Sequence, residues 1–353
     1  MSSDTAPRRG LGLAAVAFAA AAALVAGACS STASTVPSTA GSSSPAASTA
    51  AIPSPEAGTF KMGTEPWRGY GQWWIAQQKG FFTKEGVTTT LTNFTTDQDI
   101  NAALISGQLD GANIATHTAL RLKSEGTPIT IVMLLDQSNT ADAILAGPSI
   151  TSVKEMKGKK VAYEEGTTSD ILLRYALSAN GMTMSDIVPV HMPAAQAGVA
   201  VIAKQVDVAV TYEPYLSAAM KQDSSFKLIY TAAQKPGLIS DVFVVRNDYL
   251  KTHPGQIYGL LKTWGDALTE YSANTAASQA IIDTAVGAEP GSEADAFNGV
   301  KYYSLAEAST LMNGAYRQSL TDIKAIATSA GIITKTVDET TIMDTTFVTA
   351  LGK

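Results

Sequence analysis

The sequence predicts an α/β protein of two lobes joined by a hinge and closed by a helical C-terminal segment. Three observations lead there. Apolar and amphipathic runs alternate through most of the chain, the pattern of strands layered with helices. The stretch Ala103–Ala115 aligns without gaps on Ala200–Tyr212, and each reads as a helix end, a Gln-x-Asp turn and a buried strand. The part rich in large apolar residues, about 295 residues long, exceeds what one compact core usually holds.

The elements follow in order. Phe60 to Gly63 opens a strand, Trp73 to Lys79 a helix, Thr88 to Phe94 a strand and Asp97 to Ser106 a helix; Gly111 to Ala115 and Ile129 to Leu135 continue the strands. Thr95 with Gln98, and Ser152 with Glu155, have the spacing of capping boxes at helix starts. Gly86 to Phe94 and Gly181 to Met192, each followed by a helix, extend the internal match upstream. A second set of strands comprises Lys160 to Glu164, Ile187 to His191, Val206 to Thr211 and Phe226 to Tyr230, and Ser240 to Arg246 adds one more. From there the pattern is helical only: Ile257 to Ser272, Ala276 to Val286, Glu293 to Tyr303, Ala315 to Ser329 and Val337 to Leu351. These assignments predict a discontinuous first lobe over 59–147 and 237–353 and a second lobe over 148–236. The crossings fall near Gly147 and Gly237, where glycine would let the lobes close on a ligand.

The N-terminus reads as an export address. Arg8-Arg9 precedes an apolar run from Leu11 to Val25 and then Ala26-Gly27-Ala28-Cys29, the order of a secretory signal over residues 1–28. The run is too short to span a bilayer, which takes about 20 apolar residues. Either the general secretory or the twin-arginine route fits. Cys29 is the only cysteine, which excludes an intramolecular disulfide and a site with two thiolate ligands. From Ser30 to Gly58 the chain is almost entirely Ser, Thr, Ala and Pro, so 29–58 reads as a disordered tether. The formal net charge of −6 argues against a nucleic-acid partner.

Small residues before a cysteine at the end of an apolar segment resemble a bacterial lipobox, whose thiol is diacylated; Ala26 stands where that motif usually has leucine. The resemblance implies an extracytoplasmic protein held on the cell membrane by a lipid on Cys29.

Catalytic patterns are lacking. His117, His191 and His253 are far apart in sequence and have no H-E-x-x-H spacing, and the chain has no Walker phosphate loop, no G-x-G-x-x-G fingerprint and no G-x-S-x-G elbow. The expectation is therefore no enzyme, no metal and no cofactor. What stands out instead is a set of loops at the carboxyl ends of strands, where open α/β sheets bind ligands. Trp67, Gly69 and Tyr70 offer apolar walls with polar tips and a close backbone approach, while Trp73 and Trp74 read as core. Thr167 and Thr168 open a helix whose N–H groups could hold a carbonyl or an anion, but Glu164 and Glu165 precede them. Asn113 and Thr116, and Glu213 within Tyr212-Glu213-Pro214-Tyr215, follow the two matching strands. Asp136, Ser138, Asp142 and Asp241 complete the candidate set. A cleft lined by Glu164, Glu165, Asp136, Asp142 and Asp241 would favour an amine, an amidine or an uncharged hydrogen-bonding group over a bare sulfonate.

At these loops the sequence resembles the solute-binding proteins of the nitrate, taurine and aliphatic sulfonate ABC transporters. The resemblance is carried by Trp67 with Gly69-Tyr70, by Gly80-Phe81-Phe82, by Asp136 to Asp142, by Ser152 to Thr167 and by Tyr212-Glu213-Pro214-Tyr215. It implies the type II periplasmic-binding fold, a two-lobed trap that works as a monomer and hands a small solute to an ABC permease and its ATPase. The family's sulfonate and nitrate members place basic side chains at the anion, whereas these loops offer only Arg68. The expected solute is therefore a small nitrogen-containing compound, a urea-like, amine or pyrimidine molecule, with a sulfonate or nitrate as the alternative. Two other readings of the same fold are a ligand-sensing module for a membrane receptor and an enzyme like the fungal thiamine-pyrimidine synthases. The second of these depends on a cysteine-rich motif that this chain lacks.

Overall fold

The computed structural model describes residues 51–291 and 294–353, leaving aside the side chain of Asp295. The signal segment 1–28, Cys29 and the tether up to residue 50 lie outside the described residues. Among the described residues no helix is long and apolar enough to cross a membrane.

Among the described residues eleven strands form two sheets. The first holds β1 (Thr59–Thr64), β2 (Thr88–Asn93), β3 (Gly111–Ala115), β4 (Ile129–Ser138), β10 (Ser240–Arg246) and β11 (Val300–Tyr302), in the order β11-β4-β10-β3-β1-β2. The second holds β5 (Asp142–Ala146), β6 (Lys160–Tyr163), β7 (Val188–His191), β8 (Val208–Tyr212) and β9 (Lys227–Thr231), in the order β7-β6-β8-β5-β9.

The internal sequence match is a structural one. In the first sheet β2, β1 and β3 run parallel, with antiparallel β10 beside β3; in the second, β7, β6 and β8 run parallel, with antiparallel β5 beside β8. The aspartates of the two Gln-x-Asp turns make the same contact. Asp110 accepts from the Lys61 N–H at 2.8 Å and Asp207 from the Lys160 N–H at 2.8 Å, so each turn is pinned to the middle strand of its parallel trio, β1 or β6. Both turns pass through a left-handed residue at matching positions, Gly107 at φ 77° and Lys204 at φ 58°.

Several predicted boundaries move. Residues 142–146, assigned with 59–147 to the first lobe and not read as a strand, form β5, which pairs with β8 and β9, so the chain leaves the first sheet between Ser138 and Asp142. The helix expected over Asp97 to Ser106 runs Asp97–Ile105, and its cap is Thr96 rather than Thr95, the Thr96 hydroxyl accepting from the Asp99 N–H at 3.2 Å. Ser152 opens only the short 3-10 turn Val153–Met156 and makes no side-chain cap bond, while the Glu155 carboxylate accepts from the backbone N–H of Thr151. The C-terminal part is not helical throughout. Between the helices Thr275–Val286 and Leu305–Asn313 lies β11, which pairs with β4 at the sheet edge.

The tether also ends earlier than its composition suggests. The Glu56 carboxylate accepts from the Gly255 and Gln256 N–H groups at 3.1 and 2.9 Å, satisfying two of the orphan donors at the start of the helix Pro254–Ala273. The Gln256 side chain returns a bond to the Glu56 carbonyl at 2.6 Å. Glu56→Ala should cost about 1 kcal/mol of stability, read as a lower midpoint in chemical denaturation; an unchanged midpoint would remove this contact from the fold's energetics.

The cores are apolar and close-packed. Trp73 and Trp264 are fully buried with ring centroids 5.1 Å apart, and each indole N–H is satisfied, by Asn113 Oδ1 and by the Tyr303 carbonyl, both at 2.9 Å.

Candidate functional site

The two sheets present the ends of their matching strands to one another. Ala115 ends β3 and Tyr212 ends β8, at equivalent positions of the internal match. Across the ladder from Ala115 stands Asp241, and across the ladder from Tyr212 stands Asp142. The duplicated topology thus places one aspartate from each sheet at corresponding points of one cavity of about 40 Å³.

The rest of the wall comes from the segment after β1. Trp67 donates its indole N–H to Asp136 Oδ1 at 3.4 Å and sets its ring edge-on against Tyr212, 5.8 Å away, bridging the two sheets. The Tyr70 hydroxyl donates to Asp241 Oδ1 at 3.1 Å. Gly69 lies between them, and a β-carbon there would come 2.4 Å from Asp136 Oδ2 and 2.1 Å from the Trp67 indole nitrogen. Only glycine permits this approach. Glu65 and Asp97 add two further carboxyl groups, and Thr168 and Ile239 complete the lining.

The cavity is acidic without compensation. Burial pushes Asp142 up to about 7 and Asp241 up to about 6. Asp136, the direct cross-strand neighbour of Asp241, is held well above the usual carboxylate range by burial and then by the Asp241 charge. Glu65 and Asp97 are raised as well, Glu65 by burial and then by its Asp97 neighbour. Asp142 Oδ2 is buried and has no partner at hydrogen-bond distance. Among the described residues no Lys, Arg or His side chain lines the cavity. Arg68, the one basic residue of the predicted loops, is fully buried elsewhere: it pairs with Asp283 at 3.1 Å and lies over the Phe297 ring, 4.7 Å from its centroid. His117, which begins the helix after Ala115 with Thr116, is pushed down to about 3 by burial and by Arg121, so it brings no positive charge.

The predicted site residues therefore divide. Trp67, Tyr70, Asp142, Thr168 and Asp241 line the cavity, and Gly69 and Asp136 stand directly behind it. Others build the frame: Asn113 holds Trp73 and bonds the Gly63 carbonyl, Thr116 bonds Ser240 and Tyr316, and Ser138 accepts from the Asp142 N–H at 2.9 Å. Glu213 faces the start of the helix Tyr215–Gln222, accepting from the Ser217 N–H and hydroxyl. Glu165 and Thr167 belong to a wider outer groove of about 800 Å³ that meets the cavity at Asp97. Glu165 is exposed and paired with His191 at 3.0 Å, and the Thr167 hydroxyl bonds the Glu164 carbonyl. Sequence reading missed Glu65 and Asp97 as site residues, and it placed Tyr212 in a candidate loop without singling it out.

Residues 70–275 match the NMT1/THI5-like family, more than half of the chain. The chain belongs to that family. This NMT1/THI5-like protein is 25% identical over 201 residues to the taurine-binding periplasmic protein of Escherichia coli (strain K12), covering 57% of this chain and 63% of that one. Its fold is that of the alkanesulfonate-binding protein from Xanthomonas axonopodis pv. citri bound to MOPS, with TM-score 0.70, 18% identity, and 82% and 99% of the two chains covered. A shorter stretch of 114 residues is 32% identical to the 4-amino-5-hydroxymethyl-2-methylpyrimidine phosphate synthase of Schizosaccharomyces pombe (strain 972), 32% of either chain. The family member described here thus spans about 62–63% of the length of the curated binding proteins it matches over the longest stretches.

Proposed function

We propose that this protein captures a small solute bearing a cationic nitrogen between its two sheets, outside the cytoplasm, and delivers it to an ABC permease and its ATPase. One observation carries the choice of solute: Glu65, Asp97, Asp142 and Asp241 line a cavity into which no described basic side chain reaches. A cation there meets buried acceptors, whereas a sulfonate or nitrate would be repelled and would find no cationic partner. The aromatic faces of Trp67, Tyr70 and Tyr212 favour the same charge. The likeness to a taurine-binding protein supports solute capture as the class of activity, and the partial likeness to a synthase, over 32% of the chain, is too short to favour catalysis.

The two sheets act as the lobes of a trap, flexing where the chain crosses at 139–141 and 232–239. Residues 1–28 serve as the export signal, Cys29 as the lipid anchor and the polar stretch after it as a tether, so the monomer reaches its permease from the membrane surface. A thermal-shift screen of the purified protein with amines, ureas, pyrimidines and amino-sulfonates tests the reading by mass action. Amines should raise the melting temperature. Stabilisation by a simple sulfonate or nitrate, with none by any amine, would overturn it.

A further inference from the structure

The acidic groups of the cavity form two poles rather than one. At one pole Asp241 lines the cavity from β10 with Asp136, its cross-strand partner on β4, behind it. At the other, Glu65, which follows β1, and Asp97, the first residue of the helix Asp97–Ile105, line the cavity together, and β3 separates β1 from β10 in the sheet. Burial raises the carboxyls of both poles and neighbouring acids add to it, so a cationic partner is favoured at each. Asp142, on the second sheet, adds a buried Oδ2 without a partner.

Nothing described in the protein neutralises either pole from within the cavity. Arg68 is engaged by Asp283, and Arg121, whose field reaches Asp97, is engaged by Glu125 at 3.1 Å. A solute with a single cation would leave one pole uncompensated. Trp67 and Tyr70 line the same cavity, each donating a hydrogen bond to the first pole and offering an apolar ring to whatever lies alongside. The outer groove that meets the cavity at Asp97 continues the acidic lining through Glu164, Glu165 and Asp170, set against Arg121 and Arg174.

We propose that the cavity takes a solute with two cationic nitrogens on a short apolar stem, one at Asp136/Asp241 and one at Glu65/Asp97. This rests on the cation-binding reading of the site, and the experiment separates the two. Isothermal titration of the full chain at about pH 8, where aliphatic amines stay protonated, would compare tri- and tetramethylenediamine with propylamine and butylamine. A diamine of one of these lengths should bind at least about 30-fold more tightly than the matching monoamine, since it pairs both buried poles. In Asp97→Asn, and separately in Glu65→Gln, that preference should collapse to about 3-fold or less. Equal affinity for monoamine and diamine overturns the two-pole inference and leaves the cation reading standing; a preference that survives in both variants overturns the placement of the second pole. Binding of neither amine class overturns both.

Discussion

Asp241→Asn should lose most of the protein's affinity for a cationic solute while making the empty protein more stable. The asparagine keeps an acceptor for the Tyr70 hydroxyl, which now bonds Asp241 Oδ1 at 3.1 Å, and offers Asp136 a donor in place of a competing carboxyl. Removing one buried, hydrogen-bonded member of a charge pair costs about 2–5 kcal/mol, at least about 30-fold in affinity. The stability change has the opposite sign. Holding Asp241 at about 6 instead of its usual 3.8 costs at most about 3 kcal/mol above neutrality, a cost the amide does not carry. Titration calorimetry and melting curves on the same variant check both halves. An asparagine variant that binds amines undiminished would remove the Asp136/Asp241 pole from the site.

The second large effect is on pH dependence, and its direction is unusual. Most carboxylates that make surface contacts here have lowered pKa values, among them Glu270 beside Lys79 and Asp248 beside Arg246. Their stabilisation is present above their unfolded pKa and is lost as pH falls through the lower folded value, so they act below about pH 4. The cavity acids run the other way. With folded values of about 7 for Asp142 and about 6 for Asp241 against 3.8, the folded protein holds more protons than the unfolded chain between about pH 4 and 7. Stability is therefore full at the lower end of that window and is lost as pH rises through it, at about 1.4 kcal/mol per pH unit for each proton concerned. The solute-free protein should melt several degrees higher at about pH 5 than at about pH 8, and Asp142→Asn should flatten the difference. A melting temperature that rises from acid to neutral pH would contradict the burial of these acids.

Much of this cavity was legible in the chain, for a reason particular to it. The match of Ala103–Ala115 with Ala200–Tyr212 aligns Asp110 with Asp207 and Ala115 with Tyr212, and those pairs became the turn anchors and the two strand ends at the cavity. Trp67 and Tyr70 were recognisable because they follow a strand beside glycine, and Asp142 and Asp241 because they are acids next to apolar strand runs. Asp97 was not, since an acid at the first turn of a helix is usually there for the helix dipole, and only the fold brings it against Glu65. Asn113, Thr116 and Ser138 show the converse error. Polar residues at strand ends look like ligand contacts, yet these three spend their hydrogen bonds inside the frame. Glu56 lay hidden in a stretch of tether-like composition because its partner, the helix start at Gly255, is 199 residues away.

The measurement that bears most directly on the central claim is the number of protons released when an amine binds. Calorimetry at about pH 6.5 in two buffers of different ionisation enthalpy yields that number. If the solute's cation is received by the raised carboxyls of Asp142, Asp241 and their neighbours, binding pulls their pKa values down and expels protons, close to one or more per solute. Amine binding with no proton release, or with proton uptake, would mean that these carboxyls are not the acceptors and that the cavity does not work as a cation trap.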